Sequence, residues 1–292
     1  MTEISSETSS EQSQDPSLCA DLVRRFDHDR YLTVLFCAAE DRDPLFALYA
    51  FNYEVARTRE TVSEPMLGAI RLQWWREALD GIYAGRPREH PVVLALARAI
   101  GDRDLSRHRF DAIIDSREMD LSDAPLHTTA DLTRYAEDTS ARLTELAVQV
   151  AGGAGSEAAL AAAGQVGRAW AFTGLLRALG FHADMRRLYI PADDLAAAGI
   201  DPETIYRGEF SPALKPVVER MATAARRDIA AARALAGEVP RRSRPVLLLA
   251  TLAEHYLACL DRAGGDPLAA DFVAGAVRRQ LGLVWRALRG RF

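Results

Sequence analysis

The sequence contains few cysteines, and their arrangement excludes two classes of site. Cys19, Cys37 and Cys259 are odd in number, far apart and outside any CxxC motif. They are therefore not expected to form a disulfide framework or a cysteine-based zinc site. Reduced thiols in a cytoplasmic compartment are the expectation.

Long apolar runs are also lacking. The best one, residues 246–253, ends at Glu254 and His255, far short of the roughly 20 residues that a spanning helix needs. Residues 1–16 are acidic and serine-rich, without the features of a secretory signal or a mitochondrial presequence. We expect a disordered tail at 1–16, one domain at 17–292, and a cytoplasmic protein.

The chain has no excess of basic residues and lacks several common motifs. Its 36 Lys and Arg stand against 41 Asp and Glu, a formal net charge of −5. Nucleic acid is therefore not an expected partner, because phosphate contacts need a basic surface. The glycine cluster at 151–155 lacks the GK[ST] ending of a P-loop, and no GxSxG or HExxH motif occurs.

The chain does contain sequence signals that are typical of helices. Apolar residues repeat with the 3.6-residue period, and no convincing strand alternation is found. Thr128 with Asp131 resembles a capping box. Helix starts marked by proline are predicted at Asp43-Pro44, His90-Pro91 and Asp201-Pro202. These features predict an all-α fold.

Two charged segments each allow two interpretations. Residues 24–30 hold several arginines around His28, and we expect a solvated charged face, with a substrate-binding basic patch as the alternative. Residues 277–292 carry five arginines and no acid. We expect the apolar stripe of this second segment to dock on the core, with an anionic membrane surface as the alternative. The stripe consists of Val277, Leu281, Val284, Trp285 and Leu288.

Three long stretches of the chain are informative together. They are PLFALYAFNYEVARTRETVSE (44–64), RLQWWREALDGIYAGRPREHPVVLAL (71–96) and VGRAWAFTGLLRALGFHADMRRLYIPADDLAAAGI (166–200). They resemble the squalene/phytoene synthase family of head-to-head prenyl transferases. The resemblance implies a single-domain, isoprenoid-synthase-like helical bundle around a central cavity. In that family two aspartate-rich motifs on facing helices bind Mg²⁺, which neutralises the departing diphosphate.

The first of these motifs is altered in this chain. It reads like YAFCRxxDDxxDE in the family, and residues 49–51 keep its start. Ala56 and Arg57 replace the adjacent aspartates, while Glu60 keeps an acid at the third position. Arg57 places positive charge where Mg²⁺ would bind, although an arginine can still hold a phosphate directly.

The second motif is altered as well. It reads like NILRDxxED in the family, whereas this chain has Ala178 for the aspartate and Phe181-His182 for the acidic pair. A site for several magnesium ions needs several carboxylates. The resemblance therefore implies no catalytic or metal-binding residues and no cofactor, with Mg²⁺ expected only if the chain is an active transferase.

The family's substrate cavity supplies the candidate binding residues. Either these side chains line a pocket for an apolar, prenyl-like ligand, or the helices have closed around them. The candidates are Tyr49, Asn52, Arg57, Glu60, Trp170, Thr173, Arg177, His182 and Tyr189.

Within the family, the chain most resembles the non-catalytic assembly factors of mitochondrial complex I. The similarity is carried by AFNYEVARTRETVSE, RLQWWREALDGIYAG, IDSREMDL and LRALGFHADMRRLYIP. It implies a role in complex I assembly, complex I subunits or assembly intermediates as partners, and a place at the inner membrane face. The alternatives are an active prenyl diphosphate transferase of isoprenoid, carotenoid or hopanoid-type biosynthesis, and a protein that binds prenyl lipids or quinones.

Overall fold

The computed structural model describes residues 17–62, 64–122 and 124–292, so the predicted tail at 1–16 lies outside the described residues. Within those ranges the chain forms helices and no strand, which confirms the all-α prediction. The α-helices are α1 (Ser17–Phe26), α2 (His28–Val34), α3 (Ala39–Ala56), α4 (Pro65–Tyr83), α5 (Pro91–Arg103), α6 (Arg107–Glu118), α7 (Thr129–Ala136), α8 (Arg142–Val148), α9 (Glu157–Arg177), α10 (Leu179–Asp184), α11 (Ala192–Ala197), α12 (Pro202–Tyr206), α13 (Lys215–Ala234), α14 (Leu249–Arg262) and α15 (Ala276–Leu288). Short 3₁₀ segments occupy Arg59–Thr61, Met119–Leu121, Pro212–Leu214 and Arg244–Leu248, and π-helical segments occupy Glu137–Ala141 and Gln149–Gly153.

Local capping chemistry starts several of these helices where the sequence predicts. The capping box of Thr128 and Asp131 opens α7, with each side chain bonded to the other residue's backbone N–H. Helices α5 and α12 both begin at a proline, after His90 and Asp201 respectively. At these positions proline loses no helical hydrogen bond, because the first N–H groups of a helix have no intrahelical partner.

The helix start predicted at Asp43-Pro44 is wrong, because α3 begins earlier, at Ala39. Pro44 therefore lies inside a helix and cannot donate to the carbonyl of Glu40, four residues before it. Arg103 supplies the missing donor, since its Nη2 lies 3.0 Å from that carbonyl oxygen. A side chain from α5 thus lets α3 continue through the proline.

Helix α9 lies at the centre of the bundle and packs against α8, α13, α14 and the π segment Glu137–Ala141. Small residues allow these close approaches. A Cβ atom at Gly167 would lie 2.6 Å from the carbonyl oxygen of Ser140 and would also collide with Ala141. Glycine at this position therefore brings the π segment directly against α9.

Helix α15 contradicts the prediction that its apolar stripe docks on the core. Leu283, which is not in the stripe, is buried, whereas all five stripe residues are exposed. The helix is rotated because Arg279 and Arg286 face inward, where they bond to the Tyr256 hydroxyl and the Glu254 carboxylate on α14.

Across the described part of the chain, no helix has both the length and the apolar content to cross a bilayer.

Candidate functional site

A cavity of about 190 Å³ lies between α2, α3, α6, α7, α9, α10 and the π segment Glu137–Ala141. The π segment contributes two hydroxyl side chains to its wall, and π segments within helices are frequent at functional sites. The lining residues are Arg30, Asn52, Arg117, Tyr135, Thr139, Ser140, Trp170, Ala171, Gly174, Leu175 and His182.

Three of the nine predicted binding residues line this cavity, namely Asn52, Trp170 and His182. Two more stand directly behind its wall. Tyr49 is completely buried, and its ring centroid lies 5.5 Å from the guanidinium carbon of Arg30. The ring of Tyr189 packs against His182 with 4.8 Å between centroids. Asn52 and His182, one from each motif segment, thus lie at one cavity, although ligand binding there stays a prediction.

The two charged residues of the first motif do not line the cavity. Arg57 turns away and donates to the Tyr53 hydroxyl at 2.9 Å. Glu60 is exposed. Partial desolvation nevertheless raises the pKa of the Glu60 carboxyl, against the opposing positive charges of Arg57 and Arg117. Glu60 therefore lies within electrostatic range of Arg117, which lines the cavity.

The remaining two predicted residues serve contacts within the protein. The Thr173 hydroxyl donates to the Ala169 carbonyl at 2.8 Å, within its own helix. Arg177 donates to the Asp29 carboxylate at 3.1 Å, and its guanidinium lies 3.7 Å from the Tyr256 ring centroid. The Tyr256 hydroxyl also donates to Asp29, at 2.7 Å.

The expectation of a solvated charged face at residues 24–30 is wrong for Asp29 and Arg30, which are both buried. Asp27 caps α2 by accepting from the Arg30 backbone N–H, and it also pairs with the Arg30 guanidinium at 2.7 Å. That guanidinium lies 5.8 Å from the Trp170 ring centroid, at the cavity wall. Arg30 lines the cavity, so the alternative that the sequence left open, a substrate-binding basic patch, stays a prediction.

Asp120, which the sequence analysis did not select, is the buried acid beside the cavity. Its carboxylate accepts hydrogen bonds from Tyr189 at 2.7 Å, from Arg117 at 3.0 Å and from Tyr135 at 3.1 Å. Arg187 adds an ion pair at 3.3 Å. Two arginines thus surround one carboxylate, which leaves excess positive charge at this wall. The run IDSREMDL carried the signal, because it contains both Arg117 and Asp120.

Burial lowers the pKa of His182 to about 4, with Arg187 and Arg117 lowering it and the Asp120 charge opposing. His182 is therefore neutral at pH 7. The positive charge of the cavity wall comes from Arg30 and Arg117 instead.

Several buried polar atoms at this wall have no hydrogen-bond partner among the described residues. They include Nε of Arg30, Nε of Arg117 and Oγ of Ser140. Because buried polar groups are nearly always hydrogen-bonded, a ligand with acceptor oxygens matches this wall.

The donor set of the cavity does not fit magnesium. Mg²⁺ prefers carboxylates and phosphate oxygens, whereas the wall offers Asn52, His182 and two guanidinium groups. The Asp120 carboxylate is occupied by four protein donor groups. In the parts of the chain that the structure describes, no three His, Cys, Asp or Glu side chains cluster to hold a metal ion.

The chain is similar to one protein family and to several of its known members. The family model for squalene/phytoene synthase matches residues 23–286. Complex I assembly factor 6 from Bos taurus is 32% identical over 239 residues, covering 82% of this chain and 72% of that protein. The Homo sapiens protein of the same name is 30% identical, covering 85% and 74%. Phytoene synthase from Rhodobacter capsulatus is 27% identical, covering 71% and 61%.

Solved structures agree on the fold. A squalene synthase from Alicyclobacillus acidocaldarius superposes with a TM-score of 0.77 at 21% identity, covering 86% of this chain and 95% of that one. A dehydrosqualene synthase in complex with a ligand gives a TM-score of 0.82 at 16% identity, covering 94% and 96%. The helical bundle of this chain therefore has the fold of these two synthases.

Proposed function

The chain belongs to the squalene/phytoene synthase family, and from that premise we propose that it acts in the assembly or maturation of respiratory complex I. The relatives with 30% to 32% identity carry the name of complex I assembly factor 6, while the phytoene synthase from Rhodobacter capsulatus stands at 27%. The proposed partners are complex I subunits or their assembly intermediates. The proposed location is the cytoplasmic face of the inner membrane.

The charge of the cavity wall is the observation that carries this proposal. A transferase must neutralise a departing diphosphate with several magnesium ions, which need several carboxylates. Ala56, Arg57, Ala178 and His182 stand where the family's aspartates are expected. The nearby Asp120 is fully hydrogen-bonded within the protein, so it does not replace them.

The size of the cavity supports the same conclusion. Sites for drug-sized ligands commonly have volumes of about 300–1,000 Å³, and this cavity has about 190 Å³. A head-to-head transferase must hold two prenyl chains at once. The small volume of the cavity therefore favours a scaffold role over turnover.

A second candidate function is binding of one prenyl lipid or quinone without chemistry. The unpaired polar atoms of Arg30, Arg117 and Ser140 favour it, since oxygen atoms of a ligand headgroup would satisfy them. Organic extraction of the purified protein, followed by mass spectrometry, tests this candidate. Recovery of one lipid species in near-stoichiometric amount supports it.

Deletion of the gene in its host tests the assembly role. We expect membranes from the deletion strain to lose most NADH:ubiquinone activity while succinate oxidation is unchanged, and a plasmid copy to restore the lost activity. The purified protein should release no pyrophosphate from farnesyl or geranylgeranyl diphosphate with Mg²⁺. A normal NADH:ubiquinone rate in the deletion strain, or turnover that EDTA abolishes, contradicts the proposal.

A further inference from the structure

The outward face of α15 consists of apolar side chains that no part of the described structure covers. We call it the apolar face. Leu288 is 83% exposed and Val277 is 70% exposed, which are high values for aliphatic side chains. Its members are Val277, Leu281, Val284, Trp285 and Leu288.

The inner side of α15 fixes the rotation that exposes this face. Leu283 is 1% exposed and packs in the core. One turn before it, Arg279 donates to the Tyr256 hydroxyl at 2.6 Å. After the helix, Arg244 donates to the Gly290 carbonyl at 2.9 Å. Because contacts hold the helix on both sides of Leu283, its apolar face cannot turn inward without breaking them.

The C-terminal end is held in the same way. Phe292 is buried, and its carbonyl oxygen accepts a hydrogen bond from Arg233 at 2.7 Å. Arg286 donates to the Glu254 carboxylate at 3.2 Å. Two of the five arginines of this segment, Arg279 and Arg286, thus bind side chains of α14.

Two of the three remaining arginines border the apolar face. Arg278 and Arg289 are exposed and eleven residues apart, which places them on one flank of the helix. The Arg289 guanidinium lies 3.9 Å from the Trp285 ring centroid. Residues 276–292 contain no acidic side chain. The nearest acid before α15, Asp271, accepts hydrogen bonds from the backbone N–H groups of two following residues.

We propose that the apolar face of α15 docks on the surface of an anionic lipid bilayer. An interfacial helix needs an apolar face, cationic flanks and an aromatic ring at the level of the headgroups. The apolar face, Arg278 with Arg289, and Trp285 supply these three features. Charge complementarity selects the bilayer over a second copy, because residues 276–292 of a second copy offer no acidic side chain to Arg278 and Arg289. This proposal does not depend on the proposed function.

Flotation with lipid vesicles tests the docking. The full chain should float with vesicles of phosphatidylcholine containing 30% phosphatidylglycerol, and much less with phosphatidylcholine alone. Leu281→Asp should weaken binding by about tenfold or more, because it places a charge in the buried face. The double variant with Arg278→Gln and Arg289→Gln should weaken vesicle binding by about thirtyfold, because each arginine near an anionic surface contributes roughly 1 kcal/mol. High salt should weaken wild-type binding as well.

The matched control is Ile70→Asp, because Ile70 on α4 is 59% exposed and close to Leu281 in exposure, at 63%. This variant should float like the wild type. All three variants change exposed side chains, and thermal unfolding verifies that each is folded. The proposal is overturned if wild type fails to float with the anionic vesicles, or if Leu281→Asp floats as well as wild type. If light scattering shows a dimer that Leu281→Asp dissociates, and the wild type does not bind vesicles, the apolar face contacts a second copy instead.

Discussion

A buried carboxylate can bind a metal ion only when its oxygen atoms are not already taken by protein donors. At Asp120 two tyrosine hydroxyls and two guanidinium groups take them. At Asp29, Arg177 and a tyrosine do the same. The acids beside the cavity therefore act as internal partners for arginine. At the cavity wall, the unpaired atoms Nε of Arg30, Nε of Arg117 and Oγ of Ser140 can all donate, which favours an anionic or oxygen-rich ligand over a cation.

His182 gives a pH-dependent prediction at the residue scale. Its pKa falls from 6.5 to about 4 on folding, so the unfolded chain binds its proton first as the pH drops. The stability contributed by the neutral ring is complete above pH 6.5 and is lost between pH 6.5 and about 4. Urea unfolding of wild type should show a loss of about 1–3 kcal/mol from this residue over that window.

The difference between wild type and His182→Gln isolates this contribution, since other groups titrate in both proteins. We expect the variant to have the flatter curve. Exposed His28, changed to Gln, serves as the control for replacing a histidine at the surface. Equal pH dependence in His182→Gln and wild type would show that the ring is not held neutral.

Two helical segments determine the geometry of the cavity. The π segment Glu137–Ala141 turns Thr139 and Ser140 toward the cavity. Helix α9 carries Trp170 and Gly174 along the opposite wall. Their close packing depends on the absence of a side chain at one position, since a Cβ atom at Gly167 would collide with the π segment backbone.

Gly167→Ala gives a prediction at the scale of these elements. The new methyl group meets backbone atoms that cannot rotate away, so α9 and the π segment must separate. We expect the free energy of unfolding to fall by about 1–3 kcal/mol, as in other overpacked cores. Denaturant unfolding monitored by circular dichroism measures the change.

Gly174→Ala is the matched control in the same helix, because a Cβ atom there meets nothing within 4 Å. Alanine is the better helix former by about 1 kcal/mol, so this variant should be as stable as wild type or more stable. Equal destabilisation by both substitutions would contradict the close approach inferred at Gly167.

At the scale of the whole molecule, the helical bundle has the fold of the squalene and dehydrosqualene synthase structures. The TM-score of 0.82 to a dehydrosqualene synthase shows how closely the backbone is retained at 16% identity. Helix packing depends on apolar faces and small residues, so it tolerates exchanges of polar side chains at the cavity. Fold and site chemistry can therefore change independently.

Restoring the acids tests this separation. If the four positions converge, a chain with Asp at positions 56, 57, 178 and 182 should bind Mg²⁺ on the order of tenfold more tightly than wild type, because four carboxylates replace one guanidinium and three uncharged side chains. Isothermal titration measures the affinity. Arg57→Gln is the control, since it removes the positive charge without adding a ligand. No gain in the fourfold variant would mean that the two altered motifs do not converge.

The sequence by itself determined the helical fold, several helix starts and the family. These features depend on local capping chemistry, on the 3.6-residue period and on long stretches of similar residues. The sequence also indicated that Asn52, Trp170 and His182 share one cavity, since the family's spacing is retained around them.

Only the tertiary structure decided where the charged side chains lie. The spacing of α15 predicts an apolar stripe, but it does not say whether that stripe or the opposite face meets the core. Partners on α14 decided it, because Tyr256 and Glu254 bind Arg279 and Arg286 and turn the stripe outward. Asp120 likewise became recognisable only when residues distant in the chain surrounded it. Pairing of buried charges depends on distances in space, which a sequence pattern does not contain.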